Sequence, residues 1–498
     1  MINLATTVTL RNLYSEVETD DTRVLGSLYN RLACEDPNKN FAPAYKSGMW
    51  DGYHRFWNAK TKVFPTGLLN IAFKAIKQYD EDIDIIDERD YEDSNVKISP
   101  SIDLLHEELG TITLRPYQQE AVELAIKKSR GVINIATNGG KTEVACGIIQ
   151  QLLPTLPKGQ SIVFLTGSKE IFKQSHKRIS ERLGMEVGKV GDGKWDIKPV
   201  TVAMIPSLSR YLKVKPTKKA DPKKYKETRD KVMGFLHSCH GFIADEVHHA
   251  SSDSWYKLLM AMEQAHYRIG LTGTVAQDTT LSYMRLVGST GRILIKISND
   301  FLIKEGHSAK PVIHLHSHPA KQFYSPYDFA RKEGIIDCIE RNKKIVRLAL
   351  DKTKDNQQSL IIVSETAHGN ILEEVMQILS PKYDLYKDEV AFIHGDSPKS
   401  LRNNCLDKFA EGHIRILIAT SIMDEGVDIS GINCVFLAAG GKSTRQVLQR
   451  IGRGLRKKSD GSGVEVHDFI DDHNEYLMNH TEARIEVYKR EKFDIVKH

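Results

Sequence analysis

The segment from Gly131 to Thr142, GVINIATNGGKT, joins an apolar run to a glycine pair followed by lysine and threonine. Apolar residues then recur at helical spacing, at Val144, Ile148, Ile149 and Leu152. A loop between a strand and a helix points its N–H groups at a phosphate chain, where Lys141 would reach the outer phosphates and Thr142 would hold Mg²⁺. The strict G-x-x-x-x-G-K-[ST] pattern is incomplete, because Ile135 stands where it has its first glycine.

A pair of carboxylates follows a second short apolar run. The run from Gly241 to Ala244 leads directly into Asp245-Glu246-Val247-His248. Carboxylates at a strand end suit phosphoryl transfer: Asp245 would bind Mg²⁺ through water, and Glu246 would orient or deprotonate the attacking water. The alternative is a polar helix start with an isolated acidic pair, which explains neither the preceding strand nor the upstream loop.

Three arginines cluster in the segment QRIGRGLR, residues 449–456. Arginine stays charged and offers several donors to phosphate oxygens, so Arg453 and Arg456 would act on the γ-phosphate if two sheets face each other. A plain basic helix face is the alternative, and it leaves Gln449 unexplained. The candidate catalytic residues are therefore Lys141, Asp245, Glu246, Gln449, Arg453 and Arg456.

These segments lie in a chain of 498 residues, a length that predicts roughly three domains. From Gly110 onward, β-branched runs alternate with amphipathic stretches, which predicts βαβ units and parallel sheets. We predict an α/β fold with two tandem parallel-sheet domains, residues 109–300 and 301–498, after a small N-terminal α+β accessory domain, residues 1–108. The predicted strands are 131–136, 161–165, 200–204, 241–244, 267–271, 359–363, 389–393, 414–419, 433–438 and 463–470. A helix within 474–492 is expected to pack back on the last domain.

The composition is that of an ordinary folded protein, with 40% apolar and 27% charged residues, which excludes disorder as the main state. No apolar run approaches the length of a membrane span, and the start of the chain lacks a secretory signal, so we expect a cytoplasmic protein. The six cysteines lack zinc-type spacing and are expected to be reduced, buried residues. The net charge of +5 permits nucleic acid as a partner. The basic segment 213–231 is either a solvated loop or a phosphate-contacting arm.

The order of these and further motifs resembles that of the superfamily 2 helicases, over roughly Leu114 to Asp471. The matching segments are LRPYQ (114–118), ATNGGKT (136–142), FLTGSKEIFKQ (164–174), VTVAMIPSL (200–208), DEVH (245–248), LTGT (271–274), ATSIMDEGVDI (419–429) and QRIGRGLR (449–456). The resemblance implies two RecA-like domains that clamp ATP and Mg²⁺ in their cleft and grip one nucleic-acid strand. Ile135 and Asn138 depart from the family's pattern, although asparagine tolerates the positive φ that such a loop needs.

The resemblance also implies roles for individual residues. Nucleotide contacts would come from Arg115, Gln118, Thr137, Asn138, Gly139, Gly140, Lys141, Thr142, Gly426 and Asp428, with Thr142 and Asp245 holding Mg²⁺. Nucleic-acid contacts would come from Thr166, Lys169, Gln174, Ser207 and Thr420. Thr272 and Thr274 would couple hydrolysis to movement.

The segment from Lys46 to Asn70, KSGMWDGYHRFWNAKTKVFPTGLLN, is similar to the same part of the UvsW type of phage branch-migration helicase. Its aromatic residues would stack on unpaired bases or simply pack a small α+β module. Lys46, Trp50 and Arg55 are the predicted DNA contacts in this segment.

The resemblance therefore implies an ATP-dependent DNA helicase or translocase that remodels branched DNA, namely Holliday junctions, forks, D-loops and R-loops, in phage recombination, repair and replication. It would work in the cytoplasm, that of the host cell if phage-encoded, as a monomer or weak oligomer. The alternatives are an RNA helicase, the motor subunit of a restriction or defence system, and a nucleic-acid-binding scaffold. A nucleic-acid-binding scaffold has no physical need of the residues on both sides of a hydrolysis site.

Overall fold

The computed structural model describes residues 6–89, 96–213, 221–275, 280–318, 323–383, 385–420, 432–441 and 463–498. The chain forms two compact units. The N-terminal unit comprises Met1–Ile135 and Gly140–Lys296, and the C-terminal unit comprises Ala136–Gly139 and Ile297–His498. The three-domain division with boundaries after residues 108 and 300 stays a prediction.

The N-terminal unit begins with a small mixed sheet. Its elements are β1 (Thr6–Leu10), β2 (Tyr14–Glu18), α1 (Thr22–Arg31), β3 (Ala33–Glu35), α2 (Pro43–Lys46), β4 (Tyr53–Arg55), β5 (Val63–Pro65), α3 (Leu69–Ile76), β6 (Ile83–Asp87), β7 (Asp103–His106) and β8 (Gly110–Thr113), with 3₁₀ turns at Lys39–Phe41 and Thr66–Leu68. The sheet order is β5-β2-β1-β6, with β1 antiparallel to β2 and parallel to β6. Strands β3 and β4 form a separate antiparallel pair, as do β7 and β8.

This small sheet packs directly on the elements that follow it. A Cβ atom on Gly67 would lie 2.0 Å from the carbonyl oxygen of Val287, so the two backbones approach too closely for any side chain there. The Arg130 guanidinium donates a 2.8 Å hydrogen bond to the carbonyl oxygen of Asn12. One hydrophobic core contains residues of both parts, so the first 89 residues do not form an independent core.

An eight-stranded sheet dominates the rest of the N-terminal unit. Its elements are α4 (Pro116–Lys128), β9 (Arg130–Ile135), α5 (Lys141–Leu152), β10 (Ser161–Thr166), α6 (Lys169–Leu183), β11 (Gly188–Gly191), β12 (Lys194–Asp196), β13 (Val200–Met204), α7 (Ile205–Ser209), α8 (Pro222–His237), β14 (Cys239–Ala244), α9 (Asp253–Ala261), β15 (Tyr267–Thr272), α10 (Leu281–Ser289) and β16 (Ile293–Ile297), with 3₁₀ turns at Leu153–Thr155 and Val247–Ser251. The order is β12-β11-β13-β10-β14-β15-β9-β16. The central strands β13, β10, β14, β15 and β9 are parallel.

The strand sequences explain this architecture. Strands β10, β14 and β15 are buried along their whole length, as expected for parallel strands covered by helices on both faces. Because parallel strands end at the same edge, the residues after β9, β14 and β15 are brought together there. The five strands predicted in this region are confirmed to within two residues at each end, whereas strands β11, β12 and β16 were not predicted.

The prediction of a loop over residues 213–231 is wrong for its second half. Helix α8 begins at Pro222, and the Asp221 side chain caps it by accepting a 2.9 Å hydrogen bond from Lys223 N. Proline at the first helical position and aspartate before it favour a helix start. Residues 214–220 lie outside the described part of the chain.

The C-terminal unit contains a second sheet. Its elements are α11 (Asn299–Lys304), β17 (Val312–His318), α12 (Tyr327–Arg331), α13 (Ile339–Lys354), β18 (Ser359–Ile362), α14 (Thr366–Leu379), β19 (Val390–Ile393), α15 (Lys399–Ala410), β20 (Ile416–Ala419), β21 (Cys434–Leu437), β22 (Glu465–Asp471), α16 (Glu475–Arg490) and β23 (Asp494–Lys497), with a π-helical turn at Lys332–Ile336 and 3₁₀ turns at Ser380–Tyr383 and Lys387–Glu389. The order is β19-β20-β18-β21-β22-β17-β23, and every neighbouring pair is parallel.

The second series of predicted strands and the packing of the last helix are confirmed. Val487 and Tyr488 of α16 lie in one core with residues of β17 and β22. Strands β17 and β23 were not predicted. The fold class is therefore α/β with two parallel-sheet domains, as the sequence predicted.

Two expectations from composition have different outcomes. Among the described residues, no helix combines the length and apolarity that crossing a membrane requires. All six cysteines are free, but the expectation that all are buried is wrong for Cys338, which is partly exposed. Its position at the N-cap of α13, outside the sheet cores, accounts for this exposure.

Candidate functional site

The glycine-rich loop has the backbone geometry of a phosphate cradle. Asn138 has a φ of +70°, so asparagine takes the left-handed conformation expected of it from the sequence. Gly140 has a φ of +78°, and a Cβ atom there would lie 2.2 Å from Nε2 of Gln118. Helix α5 begins immediately afterwards, at Lys141. The first N–H groups of a helix have no partner within it and are available to an anion.

The predicted nucleotide-reading residues lie at the start of α4. The N–H of Arg115 donates a 2.9 Å hydrogen bond to Oε1 of Gln118, which fixes that side chain against the first turn. The Arg115 guanidinium in turn donates to the hydroxyl of Tyr117 at 3.1 Å. Gln118 is buried and adjoins the position of Gly140. The structure therefore brings Gln118 to the glycine-rich loop.

The candidate catalytic lysine and carboxylates also converge. Nζ of Lys141 lies 3.3 Å from Oε1 of Glu246. The N–H of Asp245 donates to the carbonyl oxygen of Leu165 at 2.9 Å, which continues the pairing of β14 with β10 by one residue. Glu246 has a φ of +47°, a costly conformation for a residue other than glycine. The structure therefore places the Glu246 carboxylate, which follows β14, beside Lys141 at the start of α5.

Burial and mutual charge separate the behaviour of the two carboxylates. Burial, together with the charge of Glu246, raises the pKa of Asp245 to about 7. Burial also acts to raise the pKa of Glu246, but Lys141 and His248 outweigh it, so that pKa is lowered. Glu246 is therefore the ionised member of the pair near neutral pH. The same two carboxylates overcome the desolvation of Lys141 and raise its pKa, so the lysine is charged.

A chain of polar contacts leads from this site to the end of β15. Nδ1 of His248 lies 3.2 Å from Oε2 of Glu246 and 3.0 Å from Oγ1 of Thr272. The Thr272 hydroxyl donates to the carbonyl oxygen of Thr274 at 2.8 Å and accepts from the N–H of Thr274 at 3.2 Å. His248 was not among the predicted site residues, although it is the last residue of the DEVH motif. It links the carboxylates to the two threonines predicted to couple hydrolysis to movement.

The donor set fits Mg²⁺. Magnesium takes hard oxygen ligands, and two such groups are the Thr142 hydroxyl at the start of α5 and the Asp245 carboxylate after β14. Burial disfavours the ionised form of the Asp245 carboxyl and so raises its pKa. A cation bound beside it would favour the ionised form. A bound Mg²⁺ would neutralise charge on the phosphate oxygens during transfer.

The predicted nucleic-acid contacts from the motifs differ in accessibility. Lys169 and Gln174 are exposed on α6, and Lys169 pairs with Asp192 at 2.5 Å. Ser207 is half-buried on α7. Thr166 is fully buried at the end of β10, and Thr420 in the C-terminal unit is buried after β20. Backbone contacts by these residues stay predictions.

The predicted DNA contacts of the N-terminal part lie in a group that we call the aromatic cluster, residues 39–55. Trp50 packs edge-on against Tyr45 and His54, with ring centroids 6.5 and 5.5 Å apart, and its indole N–H donates to the carbonyl oxygen of Tyr53. Arg55 pairs with Asp51. Lys46 is exposed, as are Phe41 at 80% and Met49 at 81%. The structure thus gives Trp50 and Arg55 packing partners and leaves Lys46 on the surface.

Five predicted site residues lie outside the described part of the chain. They are Gly426, Asp428, Gln449, Arg453 and Arg456. Thr137 and Gly139 lie in the described loop on either side of Asn138.

Two family models match the chain. Residues 111–277 match the model described as "Type III restriction enzyme, res subunit", and residues 340–458 match "Helicase conserved C-terminal domain". The "DNA 3'-5' translocase XPB2" of Sulfurisphaera tokodaii is 27% identical over 383 residues, covering 70% of this chain and 79% of that protein. A fragment of a putative HsdR subunit of a type I restriction enzyme from Vibrio vulnificus shares the fold, with a TM-score of 0.56, 20% identity and coverage of 77% of this chain and 68% of that one.

The two parallel sheets, the pairing of Lys141 with Glu246, and the matches to the two family models and to the translocase make the chain a member of the superfamily 2 helicases, which are ATP-dependent enzymes. Within that class it resembles the "ATP-dependent DNA helicase uvsW" of Enterobacteria phage T4. The identity to that protein is 23% over 529 residues, and the match covers 97% of each chain.

Proposed function

We propose that this helicase uses ATP and Mg²⁺ to move on DNA and to remodel branched DNA, including Holliday junctions, replication forks, D-loops and R-loops. It would act in phage recombination, repair and replication within the host cytoplasm. Brief closure of ATP-bound domains would advance the grip along one strand, while the N-terminal residues hold the duplex arms at the branch.

The observation that carries the proposal is the extent of the sequence match to UvsW, which includes the N-terminal residues. Both family models begin after the N-terminal residues, the first at residue 111. The match to UvsW covers 97% of each chain, whereas the match to XPB2 covers 70% of this one. A shared N-terminal part beside a shared motor supports a shared kind of substrate, and the printed name of UvsW gives that substrate as DNA.

The surface of the N-terminal part supports a role in binding DNA. Phe41 and Met49 are exposed apolar side chains in the aromatic cluster, and Lys46 is an exposed cation between them in sequence. Exposed aromatic and apolar side chains beside cations are typical of surfaces that stack on unpaired bases while contacting phosphates. Nearby, the guanidinium of Arg55 lies 4.3 Å from the centre of the Tyr29 ring, so it is held in place rather than mobile.

The test is ATP-dependent dissociation of a mobile four-way DNA junction, beside a linear duplex with a single-stranded tail and equal pairing length. An RNA duplex of the same sequence serves as the third substrate. We expect junction activity well above linear activity, little activity on RNA, and none on any substrate with Lys141→Ala.

Equal activity on the junction and the linear duplex would reduce the function to that of a general helicase. Preference for RNA would favour the RNA helicase alternative, and metal-dependent cutting of DNA would favour a restriction motor. ATP hydrolysis without dissociation of either DNA would rule out branch remodelling as the function of this chain alone.

A further inference from the structure

Three metal-ligating side chains from separate elements converge in the C-terminal unit. His318 ends β17, Cys338 is the N-cap residue of α13, and His473 follows β22. One potential ligand atom from each lies within 4.8 Å of the other two. Sγ of Cys338 is 3.3 Å from Nε2 of His318. The hydrolysis site described above contains none of these residues.

His473 supplies a second, independent observation. His473 is only 3% exposed. Among the residues that the structure describes, no atom forms a hydrogen bond with its Nδ1. Buried polar atoms are nearly always paired, so an unpaired ring nitrogen beside a thiol and a second imidazole points to a ligand. The ring is also held in place: a Cβ atom on Gly334 would lie 2.7 Å from Cγ of His473.

We propose that His318, Cys338 and His473 form a binding site for a divalent transition-metal ion, with Zn²⁺ as the occupant. Zinc binds thiolate sulfur at about 2.3 Å and imidazole nitrogen at about 2.0–2.1 Å in tetrahedral geometry. Ligand atoms around such an ion stand roughly 3.3–3.6 Å apart. The Cys338–His318 separation already meets that spacing, and the remaining ligand atoms need to move inward by about 1 Å. Water completes the fourth position.

The protonation states and charges around the cluster suit this occupant. A metal ion binds the neutral form of each imidazole ring and the deprotonated form of a thiol. Binding releases the thiol proton of Cys338 to solvent, and the thiolate then offsets one of the two charges of the ion. The nearby cation Arg341 is already neutralised by Asp471, 2.8 Å away.

Two further features favour zinc at this position. Lys344, the other cation close to His318, is turned to the carbonyl oxygen of Ser317, to which it donates at 2.8 Å. Cys338 is partly exposed, which gives an ion a path to the buried His473. A thiol and two imidazoles are poor ligands for Mg²⁺, so this site is chemically distinct from the hydrolysis site.

A second group of similar composition, Cys434, Glu465 and His467, provides the matched comparison. There the ammonium group of Lys352 donates to Glu465 and already offsets the charge of that carboxylate. The charge of Lys352 therefore repels a metal ion at this second group. Cys434→Ser is the control for Cys338→Ser, because each removes one thiol from a cysteine-histidine cluster of the same unit.

The experiment titrates the purified full-length, metal-free protein with Co²⁺, which substitutes for zinc and gives a thiolate-to-metal charge-transfer absorption. We expect one equivalent of Co²⁺ to produce that absorption in the wild type and in Cys434→Ser, and none in Cys338→Ser. Added Zn²⁺ should abolish the absorption and raise the melting temperature of the wild type but not that of Cys338→Ser.

No charge-transfer absorption in the wild type, or an unchanged one in Cys338→Ser, would overturn the proposal. Loss of the absorption in Cys434→Ser alone would assign the metal to the other cluster and overturn it equally. If Cys338→Ser does not fold, alkylation of Cys338 in the wild type gives the answer: Zn²⁺ should slow it about ten-fold, because a metal-bound thiolate is a poorer nucleophile. An unchanged alkylation rate would contradict the site.

Discussion

Nζ of Lys141 lies 3.3 Å from Oε1 of Glu246, so the lysine after the glycine-rich loop is paired with the carboxylate after β14. The two residues come from different strand ends of one sheet. The pairing holds Glu246 ionised and Lys141 protonated, which are the states that a water-orienting carboxylate and a phosphate-binding lysine require.

Lys141→Ala should lower ATP turnover by about 10²–10³-fold, since it removes the cation that stabilises charge on the transferred phosphate. Steady-state ATP hydrolysis with saturating DNA measures this loss, and circular dichroism should show a retained fold. The control is Lys127→Ala, because Lys127 is an exposed lysine on α4 that pairs with Glu123 at 3.3 Å, away from the carboxylates of the site. Turnover within two-fold of the wild type would contradict the assigned role of Lys141.

The contact between His248 and Thr272 should couple ATP hydrolysis to strand movement. We expect His248→Ala and Thr272→Val each to lower strand displacement about ten-fold while lowering ATP hydrolysis less, because the contact joins the carboxylates to the end of β15. The double variant should lose no more than either single variant. Strand displacement and ATP hydrolysis are measured on the same tailed duplex, and losses that multiply in the double variant would show that the two residues act separately.

Short-range signals made this site predictable from the sequence. The glycine pair with Lys141 and the strand ending in Asp245-Glu246 each carry their chemistry within a dozen residues, and parallel strands bring their ends to one edge. His248 was missed as a functional residue because its role depends on a contact with Thr272, the last residue of the neighbouring strand β15, which no local sequence pattern encodes. Ile135 is explained by the fold: it is fully buried as the last residue of β9.

Arg484→Met should destabilise the protein by about 3–5 kcal/mol, since it leaves the buried carboxylate of Asp468 without its charged partner. Nε of Arg484 lies 2.9 Å from Oδ2 of Asp468, and the two side chains are 2% and 1% exposed. Urea unfolding measures the change. Lys354→Met is the comparison: its pair with Asp351 is exposed, and its loss should change stability by less than about 1 kcal/mol. Equal effects of the two substitutions would contradict the assignment of a structural role to Arg484.

The stability of the protein should fall as the pH falls below about 6.5, in part because of His368. Burial lowers the pKa of this fully buried ring to about 3. Between that value and the ordinary pKa of about 6.5, His368 binds a proton more tightly in the unfolded chain than in the folded one. The contribution of His368 to stability therefore rises with pH in this window and is fully present above it. Lowering the pH from 7.5 to 5.5 should therefore cost about 1.4 kcal/mol through this residue.

Urea unfolding of the wild type and of His368→Phe at the two pH values separates this contribution. The substitution also removes the 3.0 Å contact with Oδ1 of Asn342, so His368→Phe should be less stable at pH 7.5. The drop between the two pH values should nevertheless be smaller in His368→Phe. An identical drop in both proteins would show that folding does not lower the pKa of His368.

Long-range relationships in the C-terminal unit were out of reach of the sequence. His318 and Cys338 are 20 residues apart, but His473 is far along the chain, and the parallel pairing of β17 with β22 brings His318 and His473 to one edge. Strand β23 pairs with β17 through residues at the far end of the unit, a register that no local pattern encodes. The sequence predicted DNA contacts at Lys46, Trp50 and Arg55, but the packing of Trp50 and Arg55 was not separable from DNA binding by sequence alone.

The number of four-way junctions dissociated per ATP hydrolysed tests the central claim most directly. We would compare the wild type with Phe41→Ser/Lys46→Glu, which changes two exposed side chains of the aromatic cluster, and with the matched control Ile378→Ser/Lys382→Glu on the C-terminal unit. The account predicts that the first variant alone loses about ten-fold in this ratio on the junction, while its ratio on a tailed linear duplex stays unchanged. An equal loss on both substrates, or no loss on the junction, would contradict it.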